Sequence, residues 1–172
     1  PTRRSSDLGH GITCISDLEN EDEVRKVILA LSQDIGHKLR VHGLSTRTVQ
    51  IHVRGNDLFG SQCQCKLPIK TQLPSEIAAA AFRCFQERYT WNTKVRAVTV
   101  RAIELSPKSD AEQVSLFDNV QQRIAKEKVQ DAVEEIRGRF GKAAVTYASL
   151  LGDLKMPADG RDKVIMPGIM YQ

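Results

Sequence analysis

The chain has 172 residues and a mass of 19.2 kDa, with 41% apolar, 27% charged and 5% aromatic side chains and a formal net charge of +4. That composition is enough for one packed domain with an appendage, excludes wholesale disorder, and disfavours a fold built on aromatic stacking platforms. No apolar run approaches the roughly 18 residues of a membrane-spanning helix. Pro1–Asp7 lacks the apolar stretch of a signal peptide. The first residue is not methionine, and the expectation is a piece of a longer protein.

The charge is unevenly spread. Residues 38–101 hold 11 Lys/Arg against Asp57, Glu76 and Glu87, while residues 106–172 hold ten of each sign. A basic region on an otherwise balanced chain points to a polyanionic partner. The four cysteines, Cys14, Cys63, Cys65 and Cys84, are expected as reduced thiols in the core of a cytosolic protein. A Cys-x-Cys spacing is not a zinc knuckle, and no second pair completes four ligands.

In chain order, Gly11–Ile15 is short and β-branched enough for a strand. Asn20 followed by Glu23 is a capping-box pattern, with Glu21 and Asp22 suited to the positive end of a helix dipole. Val24, Val27, Ile28, Leu31, Ile35 and Leu39 then repeat at helical spacing, and Gly43 is the expected stop. The acid cluster at residues 17–23 is thus helix-start chemistry rather than a metal site. Val49, Ile51 and Val53 alternate with Thr48, Gln50, His52 and Arg54. After a turn-rich stretch, Cys63, Cys65, Leu67 and Ile69 alternate with Gln62, Gln64, Lys66 and Lys70. Together they read as an antiparallel hairpin, and Pro68 assigns its second strand to an edge. Pro74 opens a second helix whose buried side is Ile77, Ala81, Cys84 and Phe85. Val95–Leu105 is a further strand, with Val98 and Val100 inward.

The order β-α-β-β-α-β predicts an α+β sandwich of split-βαβ type, with four strands and two helices on one face. The opposite face is left open. Its expected residues are Thr13, Thr48, Gln50, His52, Arg54, Gln62, Gln64, Lys66, Thr99 and Arg101, none acidic and none aromatic. Without rings to stack bases, such a face suits phosphate and sugar contacts. Ser106–Val120 reads as a linker carrying Gln113-Val114-Ser115-Leu116-Phe117. Asn119–Phe140 follows as a helix with Val120, Ile124, Val129, Val133, Ile136 and Phe140 as its apolar stripe and Gly141 as its stop. A short helix is possible over Ala143–Leu151, and residues 153–172 read as irregular.

The segments Leu8–Thr13, Leu39–Gly43, Thr46–Arg54 and Val95–Arg101 resemble, in order and in the right elements, the little-finger domain of Y-family translesion DNA polymerases, closest to the bacterial polymerase IV and UmuC-like members. Gln113, Leu116 and Phe117 match the Gln-x-x-Leu-Phe motif that in this family follows the little finger and binds the sliding clamp, the β subunit of DNA polymerase III. Ala132–Gly141 is similar to the C-terminal extension of UmuC-type members. The resemblance implies a tether from an absent thumb over residues 1–8, a DNA-binding domain over 9–105, a linker with the clamp motif over 106–118, and a helical extension with an irregular tail over 119–172. Arg3, Arg4 and His10 become candidate DNA contacts beside the sheet-face residues. The acidic signatures of the family's catalytic palm are not in this sequence, so the resemblance implies a non-catalytic, duplex-gripping part, with Mg²⁺ belonging to the parent polymerase and no cofactor here. The implied location is cytoplasmic and nucleoid-associated. A stand-alone nucleic-acid adaptor is the alternative. An enzyme using His37, His42 or His52 with a cysteine has no supporting motif.

Overall fold

The structure, a computed structural model, describes residues 7–109 and 120–157. Its elements are β1 (Leu8–Leu18), α1 (Glu21–Val41), β2 (Leu44–Gly55), β3 (Gly60–Thr71), α2 (Pro74–Arg88), β4 (Val95–Pro107) and α3 (Val120–Phe140), followed by two 3₁₀ turns, Lys142–Ala144 and Ala148–Leu150. The turns stand where a short helix was expected.

The helix start follows from local chemistry. The Asn20 side chain accepts from the Glu23 N–H at 2.9 Å, and the Glu23 carboxylate accepts from the Glu19 N–H at 2.8 Å. The returning arm of the box therefore reaches one residue beyond the cap. At the other end Gly43 takes φ +63°, a left-handed conformation that glycine adopts without penalty. Between these ends all six residues of the expected stripe are fully buried.

The sheet order is β1-β4-β2-β3, and every neighbouring pair is antiparallel. β1 and β2 are thus parallel with β4 between them, and β3 and β4 are parallel with β2 between them. These are two interleaved split βαβ units, bridged by α1 and α2 on the same face. Val49, Ile51, Val53, Val98, Val100 and Ala102 point into the layer under those helices, where they meet Ile28, Leu31, Ile35, Ile77, Ala81 and Phe85. β3, with Pro68, is an edge strand, as the missing N–H requires.

The cysteine expectation is corrected. Cys63 on β3 faces α2 and is disulfide-bonded to Cys84, with the Cα atoms 6.1 Å apart. Cys14 and Cys65 remain free, and burial pushes both thiols up from their ordinary value.

α3 forms a third layer on the side of α1 opposite its core stripe. His37 Nδ1 lies 2.6 Å from Glu134 Oε2, Arg137 donates to Gln33 Oε1 at 2.6 Å, Arg40 pairs with Asp131, and Lys142 Nζ lies 2.8 Å from Asp34. The chain then returns to the edge of β1, where the Ile15 N–H donates to the Lys155 carbonyl at 2.8 Å. The expected apolar stripe of α3 is not what it buries. Val129, Ile136 and Phe140 are exposed, and Arg123, Glu127, Gln130, Glu134 and Arg137 form the docked side.

Asn20→Ala removes one cap hydrogen bond and is expected to cost about 1 kcal/mol of stability. Leu31→Ala empties a fully buried site and is expected to cost about 2–5 kcal/mol. Urea denaturation of the two variants measures the difference, and a cap loss as large as the core loss would contradict this account.

Candidate nucleic-acid interface

The open sheet face is laid out by strand register. One row across it reads Gly9, Arg101, Gln50, Gln64; the next reads Gly11, Thr99, His52, Gln62; the third reads Thr13, Ala97, Arg54, Gly60. Toward the other end Ile103, Thr48 and Lys66 lie side by side. Because side chains alternate along a strand, these residues share the face turned away from α1 and α2. Ten expected residues, Thr13, Thr48, Gln50, His52, Arg54, Gln62, Gln64, Lys66, Thr99 and Arg101, are therefore brought together. No Phe, Tyr or Trp stands among them.

They do not all reach solvent equally. Gln62, Gln64, Lys66, Thr13 and Arg101 are exposed, and His52, Arg54 and Thr99 are half-buried. Thr48 at 3% and Gln50 at 8% exposure are covered by their neighbours. These two position the surface rather than present it. Arg54, Lys66 and Arg101 form no ion pair among the described residues, so their charge is available to an anion. Elsewhere cations are already engaged: Arg96 pairs with Asp17 at 3.0 Å and Lys94 with Glu19 at 2.6 Å. The hydrogen bond from Lys94, helped by its charge, holds the Glu19 carboxyl below its ordinary range.

Three glycines make room for this face. A Cβ on Gly11 would stand 2.3 Å from Thr99 Oγ1, one on Gly9 would stand 2.8 Å from Arg101 Cγ, and one on Gly60 would stand 2.5 Å from His52 Nε2. Thr99, Arg101 and His52 thus lean across bare backbone at the sheet edges. Hydrophobic alternation carries no sign of this, although glycine on a strand does signal close approach.

His10 does not join the face. It alternates to the helix side of β1, where Nδ1 lies 2.6 Å from Asp34 Oδ2. Its place in the sequence suggested a tether contact, but strand parity turns it inward. An acid joins instead. The Thr48 hydroxyl donates to the Glu104 carboxylate, and Glu104 takes φ +53° in β4. A left-handed non-glycine residue breaks the alternation from which an acid-free face was expected. Arg3, Arg4, Gln113, Leu116 and Phe117 lie outside the described residues.

Elsewhere, His37 is tied to Glu134 and His42 is exposed at the end of α1. Among the described residues no three His, Cys, Asp or Glu side chains gather where they could hold a metal ion. No helix among them is long and apolar enough to cross a membrane.

Residues 5–116 match the family model described as the impB/mucB/samB family C-terminal domain. The chain is 36% identical to DNA polymerase IV of Acetivibrio thermocellus over 146 residues, 85% of this chain and 37% of that protein. It is 32% identical to DNA polymerase IV 2 of Bacillus subtilis over 149 residues, 84% of this chain and 35% of that protein. It thus spans little more than a third of these relatives. Among solved structures, DinB from Sulfolobus solfataricus aligns with a TM-score of 0.50 at 11% identity, over 58% of this chain and 28% of that one. The little-finger domain of PolIV, solved in complex with the beta-clamp processivity factor, aligns at 0.49 and 17% identity, over 66% of this chain and the whole of that one.

Gly11→Ala is expected to destabilise the sheet by about 1–3 kcal/mol, because the new methyl overpacks Thr99. Thr99→Ala removes Oγ1 and Cγ2 and is expected to recover part of that loss. A double-mutant cycle followed by thermal unfolding measures the coupling. Purely additive effects would mean that the two positions do not press on each other.

Proposed function

Because this chain belongs to the impB/mucB/samB family through its C-terminal domain, we propose that it is the duplex-gripping, non-catalytic little-finger part of a Y-family translesion DNA polymerase. The observation that carries this reading is the open sheet face, which sets Arg54, Lys66 and Arg101 among amide and hydroxyl side chains, with both helices behind the sheet.

Arginine and lysine neutralise phosphates, and amides and hydroxyls hydrogen-bond phosphate and sugar oxygens. Such contacts give affinity and register without reading bases. A grip of this kind suits a polymerase that must hold duplexes containing damaged bases. Glu104, whose carboxylate accepts from the Thr48 hydroxyl, keeps its charge and makes that end of the face the least favourable for phosphate.

Polymerisation itself is assigned to a catalytic part outside this chain. Two-metal phosphoryl transfer needs clustered acids to hold Mg²⁺, and the acidic signatures of the family's palm are not in this sequence. Gln113, Leu116 and Phe117 are assigned to the sliding clamp: Leu116 and Phe117 as apolar anchors in a clamp pocket, Gln113 as a hydrogen-bonding group at its rim. In a bacterial cell this part would work in the cytoplasm on nucleoid DNA.

The chain is expected to bind duplex DNA weakly and without sequence preference. With about five phosphates engaged, log affinity should fall against log salt with a slope near −4 to −5. Removing both Arg54 and Arg101 with alanine should make that slope shallower by about two. Fluorescence anisotropy across a salt series measures both, and salt-independent binding would falsify the reading. Leu116→Ala with Phe117→Ala should abolish clamp binding in a pull-down and leave duplex binding unchanged. Loss of both activities together would assign those residues to the fold.

A further inference from the structure

The strands of the sheet are not covered equally by the helices. On β2 and β4 the residues turned toward α1 and α2, Val49, Ile51, Val53, Val98, Val100 and Ala102, are buried. On β3 the corresponding residues, Ser61, Cys63, Cys65, Leu67 and Ile69, are only half-buried. β3 also has a single strand neighbour, β2. An edge strand with thin apolar cover opens at lower free-energy cost than the centre of a sheet. Yet β3 supplies Gln62, Gln64 and Lys66 to the open face.

A covalent bond reinforces that thin cover. Cys63 is joined to Cys84 of α2, 21 positions away in sequence. Cys65, the next residue on the same side of β3, faces Ala80 one helical turn earlier, and the Ala80 carbonyl accepts from its thiol at 3.4 Å. Cys65 thus has no cysteine opposite it, and Cys14 lies on β1 at the other edge of the sheet. Only one pair is placed to close. Cys84 is buried at 1% exposure and Cys63 is half-buried, so a reagent from solvent meets Cys63 first. A cleft lined by both cysteines, Ser61, Phe85, Arg88 and Tyr89 runs beside the bond, and Arg88 brings a cation to the place where exchange forms a thiolate. In the cytoplasm, where the proposed function puts this part, glutathione- and thioredoxin-class thiols keep cysteines reduced. A disulfide there is ordinarily a transient, redox-sensing state rather than a permanent staple.

We propose that the Cys63–Cys84 bond is a redox-controlled pin that fixes β3, and with it Gln62, Gln64 and Lys66, in the open face. A peroxide closes it. The Cys63 thiolate attacks one peroxide oxygen, an S–O bond forms as the O–O bond breaks, and the other oxygen leaves as water. The Cys84 sulfur then attacks the Cys63 sulfur, the S–S bond forms, and the hydroxyl departs with the Cys84 proton as a second water. A dithiol reductant opens it. One of its thiolates attacks Cys63, and Cys84 leaves and takes up a proton. The second thiol then displaces Cys63, which leaves both cysteines as thiols and the reductant as its own disulfide. Control of duplex binding by this bond rests on the DNA-gripping reading, whereas the pinning of β3 does not.

The test compares the whole 172-residue chain after stoichiometric hydrogen peroxide and after dithiothreitol. Mass spectrometry of the oxidised form should show Cys63 and Cys84 joined and closed to alkylation, with Cys65 still a thiol. On reduction, backbone hydrogen exchange over residues 60–71 should accelerate by at least about tenfold more than that of β2 and β4. Duplex affinity by fluorescence anisotropy should fall at least about threefold, with a salt slope shallower by about one as Lys66 disengages. Cys63→Ser should behave as the reduced chain under both treatments, and Cys65→Ser should keep the full response. Should Cys63→Ser fail to fold, the two forms of the unsubstituted chain still decide. Free Cys63 after peroxide, equal exchange of β3 in both forms, acceleration spread evenly over the sheet, or a response retained by Cys63→Ser would overturn the proposal. If β3 responds and duplex affinity does not, control of the grip is overturned. If neither form binds duplex, the gripping reading itself fails, and the exchange contrast still decides whether the bond pins β3.

Discussion

Everything in this domain depends on one asymmetry of the sheet. β2 and β4 are paired at the centre, and each carries valine, isoleucine or alanine on one side and polar groups on the other. The apolar side can be removed from water only by laying α1 and α2 over it. The polar side cannot be covered without desolvating Arg54, Arg101 and their neighbours, which is costly unless each charge finds a partner. The fold therefore commits to a one-sided sandwich. Burial of the helix face and exposure of the other face are two consequences of the same alternation.

Much of this was legible in the sequence because alternation and helical spacing are local. Val49, Ile51 and Val53 against Thr48, Gln50, His52 and Arg54 gave both the strand and its two faces. Asn20, Glu23 and Gly43 marked the ends of α1. What escaped was whatever depends on departures from regular backbone or on neighbours distant in sequence. Glu104 reaches the open face through a left-handed residue inside β4, and no periodicity announces that. His10 lies on the helix side because β1 begins at Leu8, three residues before the expected start at Gly11. The Cys63–Cys84 bond needed the placement of α2 across β3, which spacing along the chain does not give.

α3 shows a different limit. An apolar stripe at helical spacing is ordinarily a buried face, and that was the expectation for Val129, Val133, Ile136 and Phe140. The available surface decided otherwise. The outer side of α1 offers Gln33, Asp34, His37 and Arg40, and an apolar stripe has nothing there to pack against. The polar stripe of α3 finds a partner at almost every turn. Amphipathicity read from sequence identifies two faces. Which one turns inward is set by the chemistry of the surface it meets.

The same reasoning separates the domain into parts with different dependence on ionic strength. The core under the sheet is held by apolar burial, which moderate salt scarcely weakens. The proposed phosphate grip is electrostatic and falls steeply with salt. The docking of α3 lies between these limits. Its ion pairs join side chains largely withdrawn from water on one side, with Arg40 and Arg137 at 11%, Glu134 at 17% and Asp34 at 16% exposure, and more exposed partners such as Asp131 and Lys142 on the other. Shielded pairs are screened less than surface pairs, and the hydrogen bond from the Arg137 guanidinium to the neutral Gln33 amide depends on salt less than a pair of full charges does. As salt rises, the grip on DNA should therefore weaken first, the third layer later, and the sandwich last. That ordering follows from where each charge sits relative to water, and it makes the sandwich the fixed frame to which the two charged surfaces are attached.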